Sequence, residues 1–101
     1  LVFGVSILST GSNTKVILEG YRVNEDQTEA GADKIAGYER CYRAVIHPKA
    51  ETGYHEKWVE FQRSVSPPAR YRPTHVLLKL YAYHPAGTVW FDTAFVHKAA
   101  E

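Results

Sequence analysis

The sequence has no methionine, one cysteine, and no apolar run long enough to cross a bilayer. Its longest apolar run is residues 1–8, far short of the roughly 20 residues that a membrane helix needs, so no helical span is expected. Cys41 alone cannot form an intrachain disulfide, and a lone cysteine in a strand-like segment reads as a small buried hydrophobe rather than a nucleophile. Charge of one sign is also lacking. Lys and Arg total 12 against 11 Asp and Glu, a formal +1, and no basic run is dense enough to suggest a nucleic-acid partner. The five histidines show neither a His-x-His pair nor zinc spacing, and phosphate-loop and Gly-x-Ser-x-Gly patterns are missing. Carboxylates such as Glu19, Glu39, Glu56, Glu60 and Asp92 are present, but nothing singles out two as a hydrolytic pair, and the chain is expected not to be an enzyme. The opening lacks both a basic segment and a small-residue cleavage site, which suggests a processed or excised piece of a longer protein.

What is present reads as β structure. Hydrophobic residues make up 45% and charged residues 23%, ordinary values for a folded domain, and residues 1–101 are expected to form one core. Period-two alternation and short β-rich runs, broken by Gly, Pro and Asn clusters, predict six strands and little helix. Residues 1–9 and 14–23 read as a hairpin around the 10–13 turn. The polar segment 24–37 reads as an excursion with room for a helical turn, and its acidic residues 25–29 as solvated loop. Strands at 38–47 and 55–66 follow, and the three prolines of 67–73 predict a crossing between sheets. Residues 74–84 alternate, with Val76, Leu78, Leu80 and Ala82 on the core side and His75, Leu77, Lys79, Tyr81 and Tyr83 on the other. A short turn at 85–87 predicts a hairpin to a closing strand at 88–97. The expected fold is an all-β antiparallel sandwich of two packed sheets.

Three features of the last 45 or so residues carry a resemblance. Trp58-Val59-Glu60-Phe61-Gln62-Arg63-Ser64-Val65-Ser66-Pro67-Pro68 places an aromatic three residues after the Trp, an apolar residue seven after it, and a closing proline. An alternating strand, Val76-Leu77-Leu78-Lys79-Leu80-Tyr81, comes next, and then Ala86-Gly87-Thr88-Val89-Trp90-Phe91-Asp92. This pattern resembles the carbohydrate-binding modules built on the galactose-binding-like jelly roll, which are often appended to polysaccharide hydrolases and lyases. The resemblance implies a jelly-roll sandwich, a polysaccharide or glycan as partner, no catalysis, and an extracellular or surface-associated accessory domain. It places Trp58 and Trp90 among the strand residues that define the sandwich, and hence in the core. In that family the first Asp of the closing motif, here Asp92, often helps hold a structural calcium with a residue from a preceding N-terminal strand. This chain has Thr93 at the usual second Asp and no such strand before Leu1, and one carboxylate supplies too few of the roughly six to eight oxygens calcium takes.

The candidate glycan-binding residues are Tyr81, Tyr83, Lys79 and Tyr21. A sugar's C–H face stacks on an aromatic ring while its hydroxyls need polar partners, and Tyr81 and Tyr83 share a strand face with Lys79. The opposing expectation packs these tyrosines beneath the 24–37 loop. A rival reading is an assembly domain, a virion, surface or accessory component that forms a homo-oligomer or docks on neighbouring domains of a parent protein. It gains force if the apolar residues 1–8 form an unpaired edge strand.

Overall fold

The computed structural model describes residues 1–29, 31 and 34–98. Its strands are β1 (Val2–Ser9), β2 (Asn13–Val23), β3 (Tyr38–Ile46), β4 (Val59–Ser64), β5 (His75–Tyr83) and β6 (Val89–His97). Two single 3-10 turns, Ala50–Thr52 and Ala69–Tyr71, are the only helical structure among the described residues. The strands form two antiparallel sheets, ordered β4-β1-β6 and β3-β2-β5, that pack face to face as the expected all-β sandwich.

The core follows from the two-residue period of each strand. Phe3, Val5 and Ile7 of β1 meet Val16 and Leu18 of β2, joined by Ala44, Tyr54 and Val65, and all eight are buried. Leu78 and Leu80 of β5 and Val89 and Phe91 of β6 pack against that cluster, whereas Val76 and Ala82, expected on the same side of β5, are exposed towards its two ends. On the opposite face of β1, Gly4 lies so close to β4 that a Cβ would sit 2.2 Å from the Phe61 carbonyl oxygen. Because that neighbour is backbone, Gly4→Ala is expected to cost about 2 kcal/mol, within the usual range of overpacking, as a lower urea midpoint at unchanged m-value. An unchanged midpoint would show that β4 gives way freely.

Three expectations about connectivity are corrected. β1 and β2 lie in different sheets, as do β5 and β6, so neither pair is a hairpin; only β2 and β3 are consecutive strands paired side by side. The turn at 10–13 crosses the sandwich because Gly11 takes a φ of 138° while the Ser9 hydroxyl donates to the Ser12 carbonyl at 2.8 Å. The 84–88 connection docks on that turn: the Ser12 hydroxyl donates to the Pro85 carbonyl at 2.7 Å, the Asn13 amide to the His84 carbonyl at 2.9 Å, and the Thr10 amide to the Thr88 carbonyl at 2.9 Å. These bonds tie two crossings together at one end of the sandwich. Consequently β1 is central, paired with both β4 and β6, and it offers no free edge for assembly.

Other expectations shift locally. The 55–66 strand begins only at Val59, because the amides of Glu56 and Lys57 fold back onto the Gly53 carbonyl at 3.1 and 3.2 Å. Trp58 therefore precedes the strand and is 49% exposed rather than core. Trp90 lies between Val89 and Phe91, both turned inward, so it faces out and is 46% exposed. No helical turn forms among the described residues of 24–37; the Asn24 amide donates to the Gly37 carbonyl and the Gly37 amide to the Gln27 carbonyl, closing the loop as an extension of β2 and β3. Residues 30, 32 and 33 of that expected excursion lie outside the described residues. Cys41 falls at the register shift of β3, half-buried, its thiol 3.5 Å from the Gly20 carbonyl.

Candidate functional site

The outer face of the β3-β2-β5 sheet gathers most of the residues singled out from the sequence. Val16 and Leu18 of β2 point into the core, so Lys15, Ile17, Glu19 and Tyr21 point outward. Antiparallel register then sets Tyr81 beside Lys15, Lys79 beside Ile17, Leu77 beside Glu19 and His75 beside Tyr21. Across the other seam Val45 lies beside Ile17 and Arg43 beside Glu19; past the register shift at Gly20 and Tyr21, Arg40 lies beside Tyr21. One carboxylate therefore sits among four cations on a single face.

Glu19 is 2% exposed although it lies on the side of the sheet away from the core. Its Oε1 accepts from the Lys79 ammonium at 2.6 Å and the Tyr21 hydroxyl at 2.9 Å, and its Oε2 from the Arg40 guanidinium at 2.7 Å. Burial, the largest single effect, pushes the carboxyl up, but hydrogen bonds from Lys79, Arg40 and Tyr21 and the Lys79 charge together hold it below the ordinary 4.5. Burial and donation to Glu19 raise the Tyr21 hydroxyl above 10.0, and the Glu19 hydrogen bond raises Lys79 above 10.5 despite its partial burial. The chemical consequence is a fixed, charge-satisfied bridge from β3 through β2 to β5.

On one side of this bridge lies an open depression of about 300 Å3, lined by Lys15, Ile17, Arg43, Tyr81, Ala82 and Tyr83. Tyr81 and Tyr83 are 45% and 44% exposed, and the Lys15 ammonium lies 5.3 Å from the Tyr83 ring centroid. On the other side a second depression of about 240 Å3 is lined by Tyr21, Ile35, Tyr38, His75, Val76 and Leu77, where the Tyr38 and His75 rings meet edge to face at 5.0 Å.

All four expected binding residues thus share one face, with unequal roles. Tyr81 and Tyr83 present ring surface to solvent. Lys79 turns its ammonium to Glu19 instead of to a ligand, and Tyr21 is buried with its hydroxyl committed to the same carboxylate. Lys15, Arg43 and Ile17 complete the depression and were missed; Lys15 and Ile17 alternate with Val16 and Leu18 on β2, but only the β2–β5 register sets Lys15 beside Tyr81 and Ile17 beside Lys79. Asp92 lies elsewhere, exposed on the outer side of the other sheet opposite Ser6, with its Oδ1 accepting the Thr93 amide at 2.9 Å. Among the described residues no three His, Cys, Asp or Glu gather closely enough to hold a metal ion, around Asp92 or elsewhere. Compared with protein-family models, curated proteins and solved structures, the chain matches none.

Proposed function

We propose that this domain is a non-catalytic glycan-binding module whose site is the depression beneath Tyr81 and Tyr83. The observation that carries this reading is two half-exposed tyrosines two residues apart on β5, over an apolar floor at Ile17 and beside the donors Lys15 and Arg43. Exposed aromatic rings offer the apolar surface that a sugar's C–H face covers, and Lys, Arg and the phenolic hydroxyls supply hydrogen bonds for its polar rim. The volume lies at the lower end of the roughly 300–1,000 Å3 of small-ligand pockets, a size suited to one or two rings of a longer chain. The Glu19 bridge holds β5 in register beneath the tyrosines, which is how the fold positions them.

Affinity electrophoresis through polysaccharide-containing gels tests the reading. Tyr81→Ala and Tyr83→Ala are each expected to weaken retention by about 2- to 12-fold, from the ~0.5–1.5 kcal/mol that an aromatic contact adds beyond its buried area. Both side chains are exposed, so the variants should melt as the parent does. Retention unchanged in both variants would remove the tyrosines from the site.

A further inference from the structure

We infer that the glycan taken by this face is an acidic one, a chain bearing uronate carboxylates or sulfate esters, held by Lys15 and Arg43 beside the Tyr81 and Tyr83 rings. The inference rests on the glycan reading above and goes beyond it by assigning the charge of the ligand.

The charge inventory carries it. Outward strand positions of the β3-β2-β5 sheet hold Lys15, Arg40, Arg43 and Lys79 as cations and Glu19 as their one carboxylate, a formal +3 on a chain whose total is only +1. The rest of the molecule is therefore net acidic, and the positive charge is concentrated on one face. Glu19 does not offset it evenly. Its two oxygens are taken by Lys79 and Arg40, so the carboxylate is spent on the bridge. Lys15 and Arg43 stand at the depression, which no Asp or Glu lines, and neither forms an ion pair among the described residues.

The chemistry narrows the class of ligand. Lysine and arginine only donate, so a neutral sugar can use them only through hydroxyl oxygens. A carboxylate or sulfate gains charge-assisted hydrogen bonds, shorter and stronger than neutral ones, and Arg43 can meet such a group with two parallel donors. The same aromatic and cationic ingredients also occur in single-strand nucleic-acid platforms. Those grooves track a backbone with charge along their length, whereas here two unpaired cations flank one depression of about 300 Å3. A depression of this size takes one or two sugar rings, not the roughly 4–16 nucleotides that a single-strand groove covers.

The test uses the full chain in affinity gels and calorimetry with four polymers: polygalacturonate and its methyl ester, and dextran sulfate and dextran. A single-stranded oligonucleotide is the fifth probe. One acidic polymer is expected to bind about tenfold more tightly than its neutral counterpart at low salt, from two partly exposed charge contacts. That advantage should shrink as the Debye length falls from about 10 Å at 0.1 M toward about 3 Å at 1 M. Lys15→Gln and Arg43→Gln should each reduce acidic-polymer binding about threefold and narrow its advantage over the neutral counterpart, since glutamine keeps a hydrogen-bond donor but no charge. Equal binding of acidic and neutral forms would overturn the inference while leaving the glycan reading intact. Binding to none of the five, or tighter binding to the oligonucleotide, would overturn both. Acidic-polymer binding that survives Tyr81→Ala combined with Tyr83→Ala would show diffuse charge attraction and also overturn the assignment to this depression. Melting curves on each variant confirm that the fold persists.

Discussion

Glu19→Ala is expected to lower folding stability by about 3 kcal/mol, at the low end of the ~3–5 kcal/mol for breaking a buried ion pair from one side. The substitution leaves Lys79, Arg40 and the Tyr21 hydroxyl without the acceptor they share. The Arg40 side chain is 43% exposed and can turn to water, whereas Lys79, at 17%, has far less access to solvent and dominates the cost. Glu19→Gln keeps the shape and one acceptor and is expected to cost less. The pH dependence separates electrostatics from packing. A carboxyl held below 4.5 contributes stability that is present above its unfolded value and is lost as pH falls through 4.5 toward its folded value. Tyr21 and Lys79 are raised, so their share is fully present below 10.0 and 10.5 and is lost as pH climbs from those values through the higher folded ones. Urea titrations across this range should show a plateau through neutral pH with acid and alkaline limbs, both shallower in Glu19→Gln. Limbs identical to those of the parent would mean that the bridge contributes nothing to the pH response.

The same bridge shows what was and was not legible in the sequence. Strand period is a local property, so alternation in β5 correctly assigned Leu78 and Leu80 to the core and Lys79, Tyr81 and Tyr83 to the other side. Which strand lies beside which is non-local. The turn at 10–13 has the composition of a hairpin, yet Gly11 and the serine hydroxyls steer it across the sandwich, and the 84–88 turn is recruited to the same crossing. The charge distribution was hidden for a related reason. A search for adjacent basic residues finds none, because Lys15, Arg40, Arg43 and Lys79 are scattered over three strands and meet only through register. The two tryptophans fail differently: their size argues for burial, but an exposed strand face and a turn ahead of β4 outweigh that tendency.

Tyr54 supplies a prediction of opposite sign from two substitutions at one position. It lies in the connection between β3 and β4, fully buried, with its ring edge-on to Phe61 at 5.6 Å and its carbonyl accepting the Ser9 amide at 2.9 Å. No strand carries it; the turn at 53–57 inserts it between the sheets as a plug. Truncating such an aromatic to alanine removes its contacts and leaves a void, and Tyr54→Ala is expected to cost about 4 kcal/mol, inside the ~3–5 kcal/mol of large aromatic deletions. That is a large share of the roughly 5–15 kcal/mol by which small domains are stable, so the variant should be partly unfolded at room temperature or melt far lower. Tyr54→Phe should instead stabilise. The hydroxyl is buried and finds no hydrogen-bond partner among the described residues, so folding strips it of water without recompense. Removing it while keeping the ring is expected to raise stability by about 1 kcal/mol, the lower end of the desolvation penalty for an unpaired buried polar group. Denaturant midpoints of the parent and both variants decide the matter. Stabilisation by phenylalanine together with collapse by alanine would establish the ring as the packed element and the hydroxyl as its cost, whereas a loss with phenylalanine would show that the hydroxyl is hydrogen-bonded in solution.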